Sequence, residues 1–109
     1  GGEASVTYNS TGTAPAQKFF SFYPNPFNPE ITFRVKKGNY NSGKIKIFDI
    51  LGRLVKEYQL HGGNMESVIW NAKNEAGTTA GAGFYIAELT LSDEKNNVHT
   101  ETAKILYLK

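Results

Sequence analysis

Side chains able to do chemistry are few in this sequence of 109 residues: two histidines, ten carboxylates and no cysteine. Without thiols there is neither a disulfide framework nor a cysteine-ligated metal. His61 lies in a glycine turn and His99 near the start of a strand. They belong to no spaced ligand set, and both read as surface residues. Gly52 and Gly62-Gly63 follow strands without opening helices, so no phosphate-cradling loop is present, and no Gly-x-Ser-x-Gly elbow occurs. Asp49, Glu57, Glu66, Glu75, Glu88, Asp93 and Glu94 are carboxylates of the type used in acid–base pairs. Most alternate with apolar neighbours, however, and read as water-facing strand positions. Asp49 differs: it shares the parity of Ile45 and Ile47 and precedes a glycine turn. Its carboxylate is expected to accept backbone N–H bonds and pin a hairpin. The stretch from Asn71 to Gly77 alternates oxygen-bearing side chains, as a calcium loop does. Lys73 stands in its middle and only Glu75 is negative, so it reads as a plain turn. The expectation is a chain with no catalytic residue, no metal and no cofactor.

Aromatic residues offer a second chemistry, stacking on sugar. Tyr8, Tyr23, Phe27, Tyr40, Tyr58, Trp70 and Tyr107 are candidates, with Tyr40, in a loop, the best exposed. Trp70 ends a strand and is expected in the core. Nucleic acid is not an expected partner, because the net charge is only +2 and the basic residues are scattered, Lys36-Lys37 being the one adjacent pair. No apolar run approaches the roughly 18 to 20 residues that span a bilayer. Residues 1–16 lack the apolar stretch of an export signal, which would then lie upstream.

Positioning these residues falls to short β elements. Residues 1–17 are rich in Gly, Ala, Ser, Thr and Pro and read as a flexible linker. It carries one short extended segment at Val6-Tyr8, a chance sequon at Asn9-Ser10-Thr11, and a Gly1-Gly2 start with the look of a cloning remnant. From Lys18 onward, β-branched and aromatic runs alternate with turn residues at intervals of about ten, the pattern of a two-sheet sandwich. Strands are expected over 19–23, 30–36, 44–50, 53–60, 65–70, 83–92 and 98–108. The loops between them include 37–43, 71–83 and a polar turn over 93–97. No segment has a helical period. The fold class is all-β, with seven antiparallel strands in two packed sheets.

Several motifs are more specific than this pattern. Phe22-Tyr23-Pro24-Asn25-Pro26-Phe27-Asn28-Pro29-Glu30 fixes φ at three prolines, and its asparagines are suited to bonding nearby backbone. Ile47-Phe48-Asp49-Ile50-Leu51-Gly52-Arg53-Leu54-Val55 follows. Then come Ile69-Trp70-Asn71, Asn74, Gly77 and Ala82-Gly83-Phe84-Tyr85, and last Ala103-Lys104-Ile105-Leu106-Tyr107-Leu108-Lys109. In this order they resemble the type A C-terminal sorting domain of the type IX secretion system, related to the Ig-like domain of flagellar hook-capping proteins. Asn71 and Ala72 replace the Asp-Gly that commonly follows the tryptophan, and Phe84 replaces a β-branched residue.

The resemblance implies a seven-stranded Ig-like β-sandwich over residues 18–109, fused behind an N-terminal cargo. It implies recognition by an outer-membrane translocon after export to the periplasm, and in many systems removal by a cell-surface sortase. The product would be secreted or held on the surface of a Gram-negative bacterium. Lys104, Leu106, Leu108, Lys109 and Arg53 are the implied translocon contacts, with the last strand read by surface contact or strand addition. Tyr23, Pro24, Asn25, Pro26, Asp49, Gly52, Trp70, Gly83 and Tyr85 are the implied structural positions. Two other readings stand beside it: a carbohydrate-binding module and a structural Ig-like accessory module. Weak self-association through an edge strand is a further expectation.

Overall fold

The computed structural model describes residues 19–61 and 63–109. The expected linker, with its sequon and Tyr8, lies outside the described residues. So does Gly62. Seven strands follow: β1 (Phe20–Tyr23), β2 (Ile31–Lys36), β3 (Ser42–Asp49), β4 (Leu54–Leu60), β5 (Met65–Trp70), β6 (Gly83–Ser92) and β7 (Val98–Tyr107). They form two antiparallel sheets, ordered β1-β2-β5 and β4-β3-β6-β7. No described helix is long and apolar enough to cross a membrane.

The strands fall within a residue or two of expectation throughout. The loop expected over 37–43 is shorter, because β3 begins at Ser42 and pairs with the far end of β6 at Ser92. Their hydroxyls meet at 2.7 Å. Gly43, a loop signal in the sequence, is here a packing residue. A Cβ at this position would meet Leu91 Cδ2 at 2.6 Å and the Thr90 carbonyl at 2.9 Å, so only glycine lets the strands close.

Alternation fills the core. Ile31, Phe33 and Val35 of the small sheet face Ile45, Ile47, Ala87, Leu89, Leu91 and Ile105 of the large one, all fully buried. Each large side chain removed from water in this way contributes about 1.5–3 kcal/mol. Trp70 is also fully buried and forms the centre of an aromatic plug at one end of the sandwich. Its ring lies 5.7 Å from Phe27 and 5.3 Å from Tyr85, and Phe27 stacks on Tyr107 at 5.2 Å. The Trp70 Nε1–H donates to the Lys73 carbonyl at 2.9 Å, so its one polar atom is satisfied. Phe27 and Tyr107, sequence candidates for exposed sugar stacking, are therefore core residues. Their neighbours in sequence, proline at one and strand alternation at the other, did not reveal that the chain folds back over them.

Candidate recognition site

β7 is the outer strand of the larger sheet. Such an edge presents unpaired N–H and C=O groups that template pairing with another chain. Here the Pro-Asn-Pro-Phe segment covers it. Asn25 Oδ1 accepts the Leu106 N–H at 2.9 Å, and Asn25 Nδ2 donates weakly to the Lys104 carbonyl at 3.5 Å. The asparagine amide thus stands in for one peptide group of a missing neighbour strand. Phe27 supplies the next: its N–H donates to the Leu106 carbonyl at 2.9 Å, and its carbonyl accepts the Leu108 N–H at 3.1 Å. Pro24 and Pro26, on either side of Asn25, offer no N–H of their own to an incoming strand. Tyr23, just before them, ends β1 and is exposed.

This corrects one expectation. Asn25 bonds backbone 81 residues away in sequence, not its own turn. The Leu106 N–H and carbonyl and the Leu108 N–H at this end of β7 are already engaged. At the opposite edge, two carboxylates bond backbone N–H groups of β4 and of the residue after it. Glu75 accepts the Glu57 N–H at 3.0 Å, and Glu66 accepts the His61 N–H at 3.0 Å. Lys56 holds Glu75 from the side at 3.2 Å, and the N–H of Glu57 with this ammonium keeps the Glu75 carboxyl below its usual range.

His99 is likewise not a plain surface residue. Its Nε2 lies 2.6 Å from Glu101 Oε2, which also accepts the Phe19 N–H at 3.2 Å. The imidazole packs on Phe19 at 4.7 Å and Tyr40 at 6.1 Å. Tyr40 is accordingly half-buried. The residue is a clamp between the residue before β1, the loop before β3 and the start of β7. No group of three or more His, Asp or Glu side chains among the described residues gathers as metal ligands do.

The implied contacts sit as follows. Lys104 is exposed, with Nζ 4.4 Å from the centre of the Phe84 ring, a cation–π distance. Leu106 is half-buried, and Leu108 and Lys109 are exposed. Arg53 lies across the sheet, in the turn just before β4, so the structure brings it to the same end as Lys104 but not into contact. Asp49 pins its hairpin as expected. Its Oδ1 accepts the N–H groups of Leu51 (2.9 Å) and Arg53 (3.0 Å), and its Oδ2 accepts Arg53 Nε at 2.8 Å. The Arg53 N–H and then its guanidinium hold the carboxyl below the usual aspartate range. Gly52 takes φ +84°, a conformation that glycine adopts without a Cβ clash. Tyr85 packs against Trp70 and donates its hydroxyl to the Gly81 carbonyl, which fixes the loop before Gly83. Burial first, and then Asp49, pushes its phenol up.

Sequence reasoning missed Phe27 and Phe84. An aromatic inside a proline-rich motif, and another at a water-facing strand position, were the available signals. The sugar-binding reading loses its platform, because Trp70, Phe27 and Tyr107 are interior.

Known proteins agree with this geometry. No curated protein matches the chain. Among solved structures, dimeric latent PorU of Porphyromonas gingivalis superposes with a TM-score of 0.67 at 22% identity, over 94% of this chain and 10% of that one. PorZ of the same organism, a surface component of its type IX secretion system, gives 0.57 at 21% over 83% of this chain and 11% of that one. FlgD of Xanthomonas campestris, a flagellar hook-capping protein, gives 0.60 at 18%, over 81% and 65%. At these identities the likeness shows a shared sandwich fold, and this chain spans about a tenth of the first two. A family model described as the secretion system C-terminal sorting domain matches residues 21–105. With the Pro-Asn-Pro-Phe segment, the pinned Asp49 hairpin and the buried Trp70 all inside that match, the chain belongs to the C-terminal sorting domains of type IX secretion, a family that is non-catalytic.

Proposed function

We propose that the end of β7 is what the outer-membrane translocon reads, with Lys104, Leu106, Leu108 and Lys109 making the contact and Arg53 displayed at the same end. The observation that carries this is the latch. β6 holds β7 on one side, while Asn25 and Phe27 hold it on the other. Side chains on a strand fixed from both sides are presented in one geometry, which recognition requires. The latch also favours reading by surface contact over strand addition.

A cargo fused ahead of this linker and domain supplies whatever activity the whole protein has. The segment 1–17 is the tether and the place where a cell-surface sortase would cut. The product is secreted or surface-held, by way of the periplasm of a Gram-negative bacterium.

The test is export of a fluorescent reporter fused ahead of the full chain, behind a signal peptide, in a host with a working type IX system. Deleting residues 104–109 is too blunt, because it removes the buried Ile105 and Tyr107 and is expected to unfold the sandwich. Lys104→Glu, Leu108→Ser and Lys109→Glu change exposed side chains only. Export of the parent and periplasmic retention of the folded triple variant is the expected result. Equal export of both would dismiss these contacts.

A further inference from the structure

Strand β7 sends alternate side chains into the sandwich. Ala103, Ile105 and Tyr107 are buried there, as alternation requires. The same parity continues back to Glu101 and His99, which the register sets beside Leu89 and Leu91, two core residues of β6. A carboxylate at an inward position forfeits its hydration, whereas an apolar side chain would fill the place without that penalty. Glu101 is nonetheless turned inward, its side chain only 11% exposed. Its Oε1 is buried and takes no hydrogen bond among the described residues. Its bonds run through Oε2, to His99 Nε2 at 2.6 Å and to the Phe19 N–H at 3.2 Å. Alternation does not ask for this carboxylate. What it holds is the start of the folded chain.

That start has little else to secure it. β1 is four residues long, the shortest of the strands described, and lies at the edge of the smaller sheet, paired with β2 alone. Short edge elements open locally at low cost. Phe19 stands one residue outside β1 and is fastened in three ways. Its carbonyl accepts the Lys36 N–H at 2.9 Å, its N–H donates to Glu101, and its ring meets Tyr40 and His99 edge-on at 5.7 and 4.7 Å. Gly38 leaves space for that ring, since a Cβ there would lie 3.1 Å from Phe19 Cε1. Phe19, Phe20, Phe22 and Tyr23 are also residues after which a chymotrypsin-like protease cuts. Such an enzyme needs free, extended chain on both sides of the bond, so it acts here only when the start of β1 opens. We infer that Glu101 and His99 gate proteolysis at the border of tether and sandwich, confining cleavage to residues before 19 by holding Phe19. The inference deepens the sorting reading and rests on residues 1–17 being a cleavable tether. The gate protects the latch as well: a cut that strips β1 would turn the segment holding β7 through Asn25 and Phe27 into a loose chain end.

Limited digestion of the full chain with chymotrypsin, followed by mass spectrometry, tests this. Tyr8 in the tether supplies a reference bond, and Phe19 and Phe20 report on the gate. The parent is expected to be cut after Tyr8 and to resist after Phe19 and Phe20. Cutting at these two as fast as at Tyr8 overturns the gate. Resistance at Tyr8 overturns the tether reading and leaves the gate to be decided by the variants. Glu101→Leu fills the inward position with an apolar side chain, so its melting temperature is expected to stay within a few degrees of the parent's. Cutting after Phe19 and Phe20 is expected to rise about tenfold or more, with the Tyr8 rate unchanged. A carboxylate that served stability alone would not speed cleavage in a variant of undiminished stability. Glu101→Gln, which keeps an acceptor for the Phe19 N–H, is expected between the two. A parent-like rate at Phe19 and Phe20 in folded Glu101→Leu overturns the inference. Should Glu101→Leu unfold, as new cuts after Tyr58 and Tyr85 would show, His99→Ala carries the test. Faster cutting confined to Phe19 and Phe20 then supports the gate, and a parent-like rate overturns it.

Discussion

The hairpin at Asp49 and the hairpin at Asp93 are one turn built twice, at opposite ends of the same sheet. In each, an aspartate Oδ1 accepts the N–H groups two and four residues on: Leu51 and Arg53 in the first, Lys95 and Asn97 in the second. In each, the side chain four residues on closes against Oδ2, Arg53 Nε at 2.8 Å and Asn97 Nδ2 at 3.0 Å. The residue three on is left-handed in both, Gly52 at φ +84° and Asn96 at φ +65°. Asn74 repeats the Oδ1 pattern before β6, accepting from Ala76 and Thr78. What differs is the tip. Ile50-Leu51 is apolar and exposed, whereas Glu94-Lys95 is charged. Backbone geometry therefore does not ask for Ile50 and Leu51, since the same turn forms with Glu and Lys. The apolar tip sits at the end of the sheet where Leu54, Phe48 and Ile86 also share the outward row.

The sharpest way to break this contrast is to exchange the tips. Ile50→Glu/Leu51→Lys gives the Asp49 turn the tip of its counterpart. Export is expected to fall at least tenfold while the melting temperature holds within a degree or two. The reverse exchange, Glu94→Ile/Lys95→Leu, is expected to leave export unchanged. Equal losses from the two exchanges would mean that the ends of the sheet are not functionally distinct.

The left-handed positions come next. Forcing a β-branched residue into this conformation costs about 1–2 kcal/mol, as in Gly52→Val. Gly52→Asn copies Asn96 and is expected to cost well under that, asparagine being tolerant of left-handed backbone. Chemical denaturation of the two variants measures the difference, and equal costs would show that the turns are not equivalent. Asp49→Ala and Asp93→Ala are each expected to lower the melting temperature by several degrees, through three lost acceptor contacts. Asp49→Asn is expected to fall between, because it keeps the Oδ1 acceptor that Asn74 uses. A melting temperature unmoved by Asp49→Ala would show the strands hold the turn unaided.

How much of this was legible follows from where each interaction closes. Asp49 and its hairpin were readable, because the acceptor and its donors lie within five residues and the glycine announces the turn. The strands were readable from alternation, and Trp70 from its isolation. The latch was not. Asn25 and Phe27 meet Leu106 and Leu108 across almost the whole described chain, and nothing local distinguishes an asparagine that bonds its own turn from one that bonds a distant strand. His99 failed for the same reason: its partner Glu101 is near, but Phe19 and Tyr40, which bury it, come from other elements. The apolar row was present in each strand as one or two unexpected side chains. It becomes a surface only when the register sets Phe48 beside Ile86 and Phe84 beside Leu106.

The smallest expected effect is the response to acid, and it tests whether the two turns share their electrostatics as well as their shape. Both aspartates lie below the ordinary value of about 3.9. For Asp49 the Arg53 N–H contributes most, followed by the guanidinium; for Asp93 the Asn97 side-chain amide leads, followed by the Asn97 N–H. A carboxyl depressed in the fold contributes stability that is complete above its unfolded value and disappears as pH falls through the folded one. Stability should thus decline as pH drops below about 4, with Glu75, also depressed, adding to the same limb. Asp49→Asn/Asp93→Asn should flatten that decline without abolishing it, since Glu75 remains. Removing the side-chain donors separates the two turns further. Arg53→Ala leaves Asp49 its leading contributor, a backbone N–H, whereas Asn97→Ala takes the leading contributor from Asp93. In a titration followed by carboxyl NMR, the Asp49 midpoint in Arg53→Ala should therefore stay below the ordinary aspartate value. A rise to that value would make the guanidinium, and not the turn backbone, the source of the charge preference, and the two hairpins would then share a shape but not a chemistry.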